Sequence, residues 1–202
     1  MSDAYGFLAP IYQPLSTLVF GGDLVAANSV FSALAAGKIS LIIGGGDAVA
    51  YSDWDESFSG EYWDTSLKMT ELAKHNLERS KVRVNCGSWP GVGKFDVILL
   101  PFVLDTLPGR EIEKLIGQIA DSLNPGGKVI LSDFFSPKTF PQRVLQGLMI
   151  TGFRVFAEHL RTDLPDFERF FEGKSWRLLE EQTWRKGWIR ARVYGRMDDS
   201  AY

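Results

Sequence analysis

The sequence predicts the α/β fold class: an open, twisted, mostly parallel sheet with helices on both faces and an antiparallel C-terminal hairpin. Three observations predict it. Short, fully apolar runs alternate with helical patterns, as in successive strand–helix–strand units. The first apolar run ends in three consecutive glycines. Near the C-terminus, two strand-like runs are joined by only three residues, a connection too short for parallel strands.

The N-terminal half alternates between helix and strand patterns. A helix is expected over 23–36, ended by Gly37. Residues 39–43 form a short apolar run, which is typical of a strand buried on both faces. A second helix is expected over 66–79 and a further strand around 82–84.

The same alternation continues through the middle of the chain. Residues 97–100 form a fully apolar strand pattern, and apolar residues at helical spacing over 112–123 predict the clearest amphipathic helix of the sequence. The Asn-Pro-Gly-Gly run over 124–127 ends this helix, since neither Pro nor Gly continues one. Another buried strand is expected at 129–131.

The C-terminal hairpin is expected to pair 176–184 with 188–195. Alternation within the second strand places Ile189, Ala191 and Val193 on one face and the arginines on the other. A half-exposed strand explains this basic, aromatic stretch without a nucleic-acid partner.

The sequence contains no repeat or linker that would divide it, so a single domain over 1–202 is expected. Its expected parts are N-terminal cap helices over 1–37, a core over 38–135, a helical lid over 136–174 and the C-terminal hairpin over 175–202.

Composition narrows the class of function. The net charge of −3 gives no electrostatic reason to bind nucleic acid. No apolar run approaches the roughly 20 residues that span a bilayer, the N-terminus lacks a signal-peptide pattern, and one cysteine fits a reducing compartment, so a cytoplasmic location is expected. Two isolated histidines and one cysteine supply no metal-site spacing. The 14 Phe, 6 Trp and 6 Tyr are numerous enough to line a lipophilic pocket.

Two features point to a ligand. Gly44, Gly45 and Gly46 follow a buried strand, where glycines let a ligand approach the backbone. Asp64 stands twenty residues after Gly44, at the expected tip of the second strand, where a carboxylate can accept bonds from ribose hydroxyls. A tight turn without a ligand, and a helix cap formed by Asp64 or Thr65, explain the same residues.

Four patterns in order, over roughly 39–134, resemble the class I S-adenosylmethionine-dependent methyltransferases. They are Gly44-x-Gly46, Asp64-x-Ser66-x-x-Met69, Phe95-Asp96 with its apolar strand, and the Leu-x-Pro-Gly-Gly run over 123–127. The segment Phe-Leu-Ala-Pro-Ile-Tyr over 7–12 is similar to the opening of quinone-biosynthesis C-methyltransferases.

The resemblance implies a Rossmann-like sheet of seven strands that binds S-adenosylmethionine and releases S-adenosylhomocysteine. It implies that the cofactor contacts Gly44, Gly45, Gly46, Asp64, Thr65, Met69, Ser88, Trp89 and Pro101. It also implies that Phe102 lies near the methyl acceptor, and Tyr5 and Tyr12 are candidates to close over the site. Asp105 is the candidate base, with the alternative that it only caps the helix near Pro108.

We therefore expect a methyltransferase for a small, apolar or aromatic molecule. The alternative is a non-catalytic protein of the same fold, because Ile42, Asp47, Ala48 and Ser88 depart from the family pattern. A dinucleotide-dependent oxidoreductase is a third hypothesis, disfavoured by Val49 at the third glycine position of that fingerprint. The apolar stretch 144–156 is expected to be a core helix, a lid over the acceptor or a peripheral membrane contact. The oligomeric state stays open.

Overall fold

A computed structural model describes residues 20–147, 167–171 and 176–197. The strands are β1 Ile39–Ile43, β2 Ser59–Asp64, β3 Lys81–Cys86, β4 Phe95–Pro101, β5 Leu123–Phe134, β6 Trp176–Trp184 and β7 Ile189–Arg196. The helices are α1 Asp23–Ser29, α2 Leu67–Asn76, α3 Gly109–Ser122, α4 over 140–147 and α5 Phe167–Phe171. Short 3-10 turns cover Ser32–Ala35, Val49–Tyr51, Leu104–Thr106 and Arg185–Gly187.

The seven strands form one sheet in the order β3-β2-β1-β4-β5-β7-β6. β3, β2, β1, β4 and β5 run parallel to one another, whereas β7 runs antiparallel to both β5 and β6. The predicted fold class is confirmed, including the seven strands and the antiparallel C-terminal hairpin. The order reverses direction between β1 and β4, so a crevice opens there beyond the carboxyl ends of these strands.

The central strands are buried on both faces. In β1, Leu41 belongs to the apolar cluster on the α3 side of the sheet, and its neighbour Ile42 belongs to the cluster on the other side. β4 alternates in the same way, with Ile98 on the α3 side and Leu99 opposite. Burial on both faces explains why these strands appear in the sequence as continuous apolar runs.

Two expected helices are shorter in the structure. The helix predicted over 23–36 ends at Ser29, because the Ser32 hydroxyl donates to the Ser29 carbonyl at 2.7 Å and a 3-10 turn follows. The helix predicted over 66–79 covers Leu67–Asn76. Its N-cap is Ser66, whose hydroxyl accepts the Met69 N–H at 3.4 Å, so the alternative of a cap formed by Asp64 or Thr65 is wrong.

The face pattern of β7 is confirmed, but its half-exposure is not. Ile189 and Val193 are fully buried on one face, and Arg192 on the other face is only 5% exposed. Arg192 Nε donates to Glu181 Oε2 at 2.5 Å, and its guanidinium lies 4.5 Å from the centre of the Phe135 ring. A charge-assisted pair and an aromatic ring thus compensate the burial of this cation.

Part of the expected architecture lies outside the described residues. These are Tyr5, Tyr12, most of the predicted cap over 1–37, 148–166 with 172–174 of the predicted lid, and 175 with 198–202 of the predicted hairpin. Of the apolar stretch 144–156, only 144–147 is described. In the described residues, no helix has the length and apolar character needed to cross a bilayer.

Candidate active site

A cleft of about 1060 Å³ opens at the carboxyl ends of β1, β2 and β4, where the strand order reverses. Its wall is completed by α1 on one side and by α3 on the other. Every described residue that the sequence assigned to the cofactor or acceptor lines this single cleft: Gly44, Gly45, Gly46, Asp64, Thr65, Met69, Ser88, Trp89, Pro101, Phe102 and Asp105.

The glycine turn after β1 is shaped by contacts that exclude larger residues. Gly44 has a φ of +70°, and a Cβ there would lie 2.5 Å from Val103 Cγ2. A Cβ on Gly45 would lie 2.5 Å from Tyr62 Cε2. At Gly46 the φ is +59° but nothing lies within 4 Å of a Cβ. Close packing therefore requires glycine at positions 44 and 45, whereas position 46 has open space on the cleft side.

Asp64 joins the tip of β2 to the glycine turn. Its Oδ2 accepts the Gly46 N–H at 3.1 Å, and its Oδ1 accepts the Ser66 N–H at 2.9 Å. The Asp64 side chain also lines the cleft. Asp64 thus lies at the strand tip, as predicted. It also holds the glycine turn, a role that the sequence did not indicate.

Tyr62 supports the turn from below. Its hydroxyl donates to the Gly46 carbonyl, and its ring fills the space beneath Gly45. Burial raises the pKa of Tyr62 well above its ordinary value, and the negative charges of Asp64 and Asp47 raise it further. The phenol therefore stays protonated and remains a donor.

The residues that depart from the family pattern do not block the cleft. Asp47 Oδ1 accepts the Val49 N–H at 3.1 Å, so this carboxylate bonds to the backbone of its own loop. Ala48 keeps the left-handed conformation of a glycine, with a φ of +58°, at a cost of about 1 kcal/mol. Ile42 is fully buried in the core cluster beneath the turn.

The wall beyond α2 and β3 is formed by side chains of different exposure. Trp89 is only 8% exposed, and its Nε1–H donates to the Val92 carbonyl at 3.2 Å. Met69 is half-buried, and Thr65 and Ser88 are exposed. These residues offer an apolar surface edged by hydroxyls, which suits a flat, polar-edged group.

The end of β4 turns sharply at Phe102. Its φ is +51°, a left-handed conformation that is costly for an aromatic residue. The Phe102 N–H donates to the Ser132 carbonyl at 2.7 Å, and its ring lies 5.0 Å from that of Phe134. The turn carries the chain directly into the 3-10 turn Leu104–Thr106, which presents Asp105 to the cleft.

Asp105 does not cap α3. The N-cap of α3 is Pro108, which makes no side-chain cap bond, so the capping alternative is wrong. Close to Asp105 lies Asp133 at the end of β5, which is fully buried. Burial, and next the charge of Asp105, raise the pKa of Asp133 well above its ordinary value.

Sequence reasoning missed several residues of the site. Asp133 lies at the end of β5, the neighbour of β4. The only sign of it in the sequence was that it follows the apolar residues of a predicted strand. Leu24, Val25 and Asn28 of α1 line one end of the cleft, and Arg110 and Lys114 of α3 line the other. Helical spacing alone could not reveal which face of each helix met the crevice.

Of the two histidines, the structure describes His75, which is on the surface, 3.6 Å from Glu78. His159 lies outside the described residues. Within the described parts of the chain, no group of three or more His, Cys, Asp and Glu side chains is arranged to hold a metal ion.

No protein-family model matches the chain, and no curated protein matches it. Solved structures do. The mitomycin 7-O-methyltransferase MmcR superposes with a TM-score of 0.63 at 18% identity, covering 86% of this chain and 54% of that one. The chain thus spans about half the length of MmcR.

Two further structures match over nearly their whole length. YcgJ from Bacillus subtilis has a TM-score of 0.60 at 14% identity, covering 86% of this chain and 99% of that one. A TehB-like SAM-dependent methyltransferase from Corynebacterium glutamicum has a TM-score of 0.58 at 14% identity, covering 96% of this chain and 98% of that one. The chain therefore has the fold of the class I S-adenosylmethionine-dependent methyltransferases.

Proposed function

We propose that this chain, having the class I methyltransferase fold, transfers a methyl group from S-adenosylmethionine to a small, apolar or aromatic molecule. One observation carries the proposal. Residues assigned to the cofactor at the carboxyl ends of four separate strands, β1, β2, β3 and β4, meet in one cleft, at the point of the sheet where its strand order reverses. A fold alone does not imply a function, and this convergence of residues adds the support that the fold lacks.

The cleft fits the cofactor in shape and in donor chemistry. Gly46 leaves the backbone open where the methionine part would lie, and the Asp64 carboxylate lines the cleft where the ribose hydroxyls would lie. Met69 and Trp89 would hold the adenine between them. When bound, S-adenosylmethionine supplies an electrophilic methyl group on a sulfonium, so the protein needs to supply alignment, a dry site and a proton acceptor.

The acceptor end of the cleft is apolar with one carboxylate. Phe102 and Phe134 form its floor, and Leu24 and Val25 of α1 lie above them. Asp105 is the carboxylate, and in this proposal it accepts a proton from a hydroxyl acceptor. This lining favours an uncharged, flat or apolar molecule. The name of MmcR shows that oxygen serves as methyl acceptor in one protein of this fold.

In this proposal the N-terminal residues 1–37 and the segment 136–174 cover the cleft as cap and lid, over the core 38–135. The described part of the cap supports this, because α1 contributes Leu24, Val25 and Asn28 to the cleft wall.

The second candidate is a non-catalytic protein of this fold. The observation that favours it is the bond between Asp64 Oδ2 and the Gly46 N–H, which uses part of the carboxylate that would bind the ribose. Ser88, in place of the acid that often contacts adenine in the family, favours it as well. Under this alternative the cleft binds no S-adenosyl compound.

Isothermal titration with S-adenosylhomocysteine distinguishes the two. We expect saturable binding that Asp64→Ala weakens at least about tenfold, or about 1.4 kcal/mol. Asp53→Ala is the matched control, because Asp53 is exposed and lies outside the cleft, and it should bind like the unchanged protein. No binding by the folded, unchanged protein would favour the non-catalytic alternative.

A further inference from the structure

The end of β5 carries a fully buried carboxyl group, that of Asp133. Its Oδ1 accepts the Phe134 N–H at 2.8 Å. Its Oδ2 is buried and accepts no hydrogen bond of normal geometry from the part of the chain that the structure describes, although the backbone N–H groups of Leu104 and Asp105 lie close enough to stabilise a charge on it. An ionised carboxylate in this position would lack most of the hydration that it has in water.

The turn at Phe102 brings Asp105 to this carboxyl. β4 and β5 are paired up to Pro101 and Ser132, and the Phe102 N–H continues the pairing to the Ser132 carbonyl. The left-handed backbone of Phe102 then directs the 3-10 turn Leu104–Thr106 over the end of β5. One member of the carboxyl pair is thus fully buried, and the other lines the cleft.

Arg190, the cation nearest to Asp133 in the strand register, contacts other groups. Arg190 stands opposite Asp133 in the β5–β7 register. Its Nε donates to the Gly187 carbonyl at 2.9 Å, its Nη1 lies 3.3 Å from Glu181 Oε2, and its guanidinium lies 4.7 Å from the Phe135 ring centre. Backbone N–H groups of Phe134, Asp105 and Leu104 stabilise a negative Asp133, but burial and the charge of Asp105 outweigh them.

We infer that Asp105 and Asp133 form a pair that holds one proton at neutral pH, with Asp133 protonated and Asp105 ionised at the cleft wall. Asp133 is fully buried and the charge of Asp105 acts on it, so the buried member of the pair keeps the proton and the half-buried member at the cleft ionises. Asp133 is then a positioning residue, a neutral carboxylic acid that steadies Asp105 without repelling it.

The role of the pair in catalysis rests on the proposed function. When a hydroxyl acceptor reacts, its O–H bond breaks and the proton bonds to an Asp105 oxygen. The acceptor oxygen would keep the electron pair of the O–H bond for its bond to the methyl carbon that S-adenosylmethionine would supply, and the cofactor sulfur would keep the electron pair of the C–S bond. Asp105 and Asp133 then hold two protons, and one returns to water when the product leaves.

Infrared difference spectroscopy tests the pair directly. The spectrum of each variant is subtracted from that of the unchanged protein, both without any ligand. At pH 7 we expect a carboxylic acid C=O band that Asp133→Asn removes. Asp121→Asn is the matched control, because Asp121 is exposed on α3, and it should keep the band. Absence of a protonated carboxyl at pH 7, or a band that persists in folded Asp133→Asn, would overturn the inference.

A second variant keeps the test independent of whether Asp133→Asn folds. Asp105→Asn removes the neighbouring negative charge, so the band of Asp133 should persist but titrate at a lower pH than in the unchanged protein. An unchanged titration would show that the two groups are not coupled. A band without S-adenosylhomocysteine binding would uphold the pair and reject the proposed function, and binding without a band would do the reverse.

Discussion

At the scale of single residues, the turn after β1 contains glycines whose positive φ favours glycine over other residues. Gly44 and Gly46 both have positive φ, but they differ in their surroundings. Val103 crowds Gly44, whereas nothing lies within 4 Å of a Cβ on Gly46. The glycine cluster was visible in the sequence. The contact with Val103 was not, because it joins β1 to β4 through the fold.

Gly44→Ala and Gly46→Ala therefore form a matched pair. Both place alanine in a left-handed conformation, at about 1–2 kcal/mol. Gly44→Ala adds the clash with Val103, so we expect a total loss of about 2–4 kcal/mol in the free energy of unfolding. Denaturant unfolding measures both. Equal losses would contradict the packing derived for Gly44.

Asp133 gives stability a specific dependence on pH. Its folded pKa is raised above the unfolded value near 3.8. Between these two pKa values the folded state binds more protons than the unfolded state. The contribution of Asp133 is therefore fully present below pH 3.8 and is lost as the pH rises through the folded pKa.

We expect the free energy of unfolding of the unchanged protein, relative to Asp133→Asn, to fall as the pH rises from about 4 toward 8. Urea unfolding at several pH values measures the difference, which isolates Asp133 from other titrating groups. A difference that stays flat or rises would contradict a protonated Asp133.

At the scale of elements, α1 is fastened to the sheet beside the acceptor end of the cleft. The buried Ser132 hydroxyl donates to the Ala27 carbonyl at 2.9 Å. Arg185 Nε donates to Asp23 Oδ2 at 2.7 Å, which ties the first turn of α1 to the β6–β7 connection. These bonds hold Leu24 and Val25 at the cleft wall.

Ser132→Ala should loosen α1. We expect a loss of about 1 kcal/mol in stability and faster hydrogen exchange in α1. Ser52→Ala is the control, because Ser52 is exposed and outside the cleft. Unchanged exchange in α1 would show that the Ser132 bond does not hold this helix.

Elements were predictable from the sequence where local pattern decides them. The strands buried on both faces are visible in the sequence as continuous apolar runs, and α3 is visible because its buried face gives apolar residues at helical spacing. The early end of α1 depends on a bond between the Ser32 hydroxyl and the Ser29 carbonyl, which propensity does not show. The burial of Arg192 depends on Glu181 and Phe135, which reach it from neighbouring strands.

At the scale of the whole molecule, the sheet order brings distant motifs together. The turns after β1, β2 and β4 are separated in sequence, but parallel strands place their carboxyl ends at one edge. The candidate cofactor residues were predictable for this reason. Asp133 was not, because its importance follows from burial beside Asp105 and not from any motif.

A crystal structure of the protein with S-adenosylhomocysteine tests the central claim most directly. The account predicts electron density for the adenosyl group in the cleft, with its ribose hydroxyls on the Asp64 carboxylate and its amino acid part over Gly44 and Gly46. A structure at saturating S-adenosylhomocysteine whose cleft contains no such density, or in which the ligand binds away from Asp64, would contradict it.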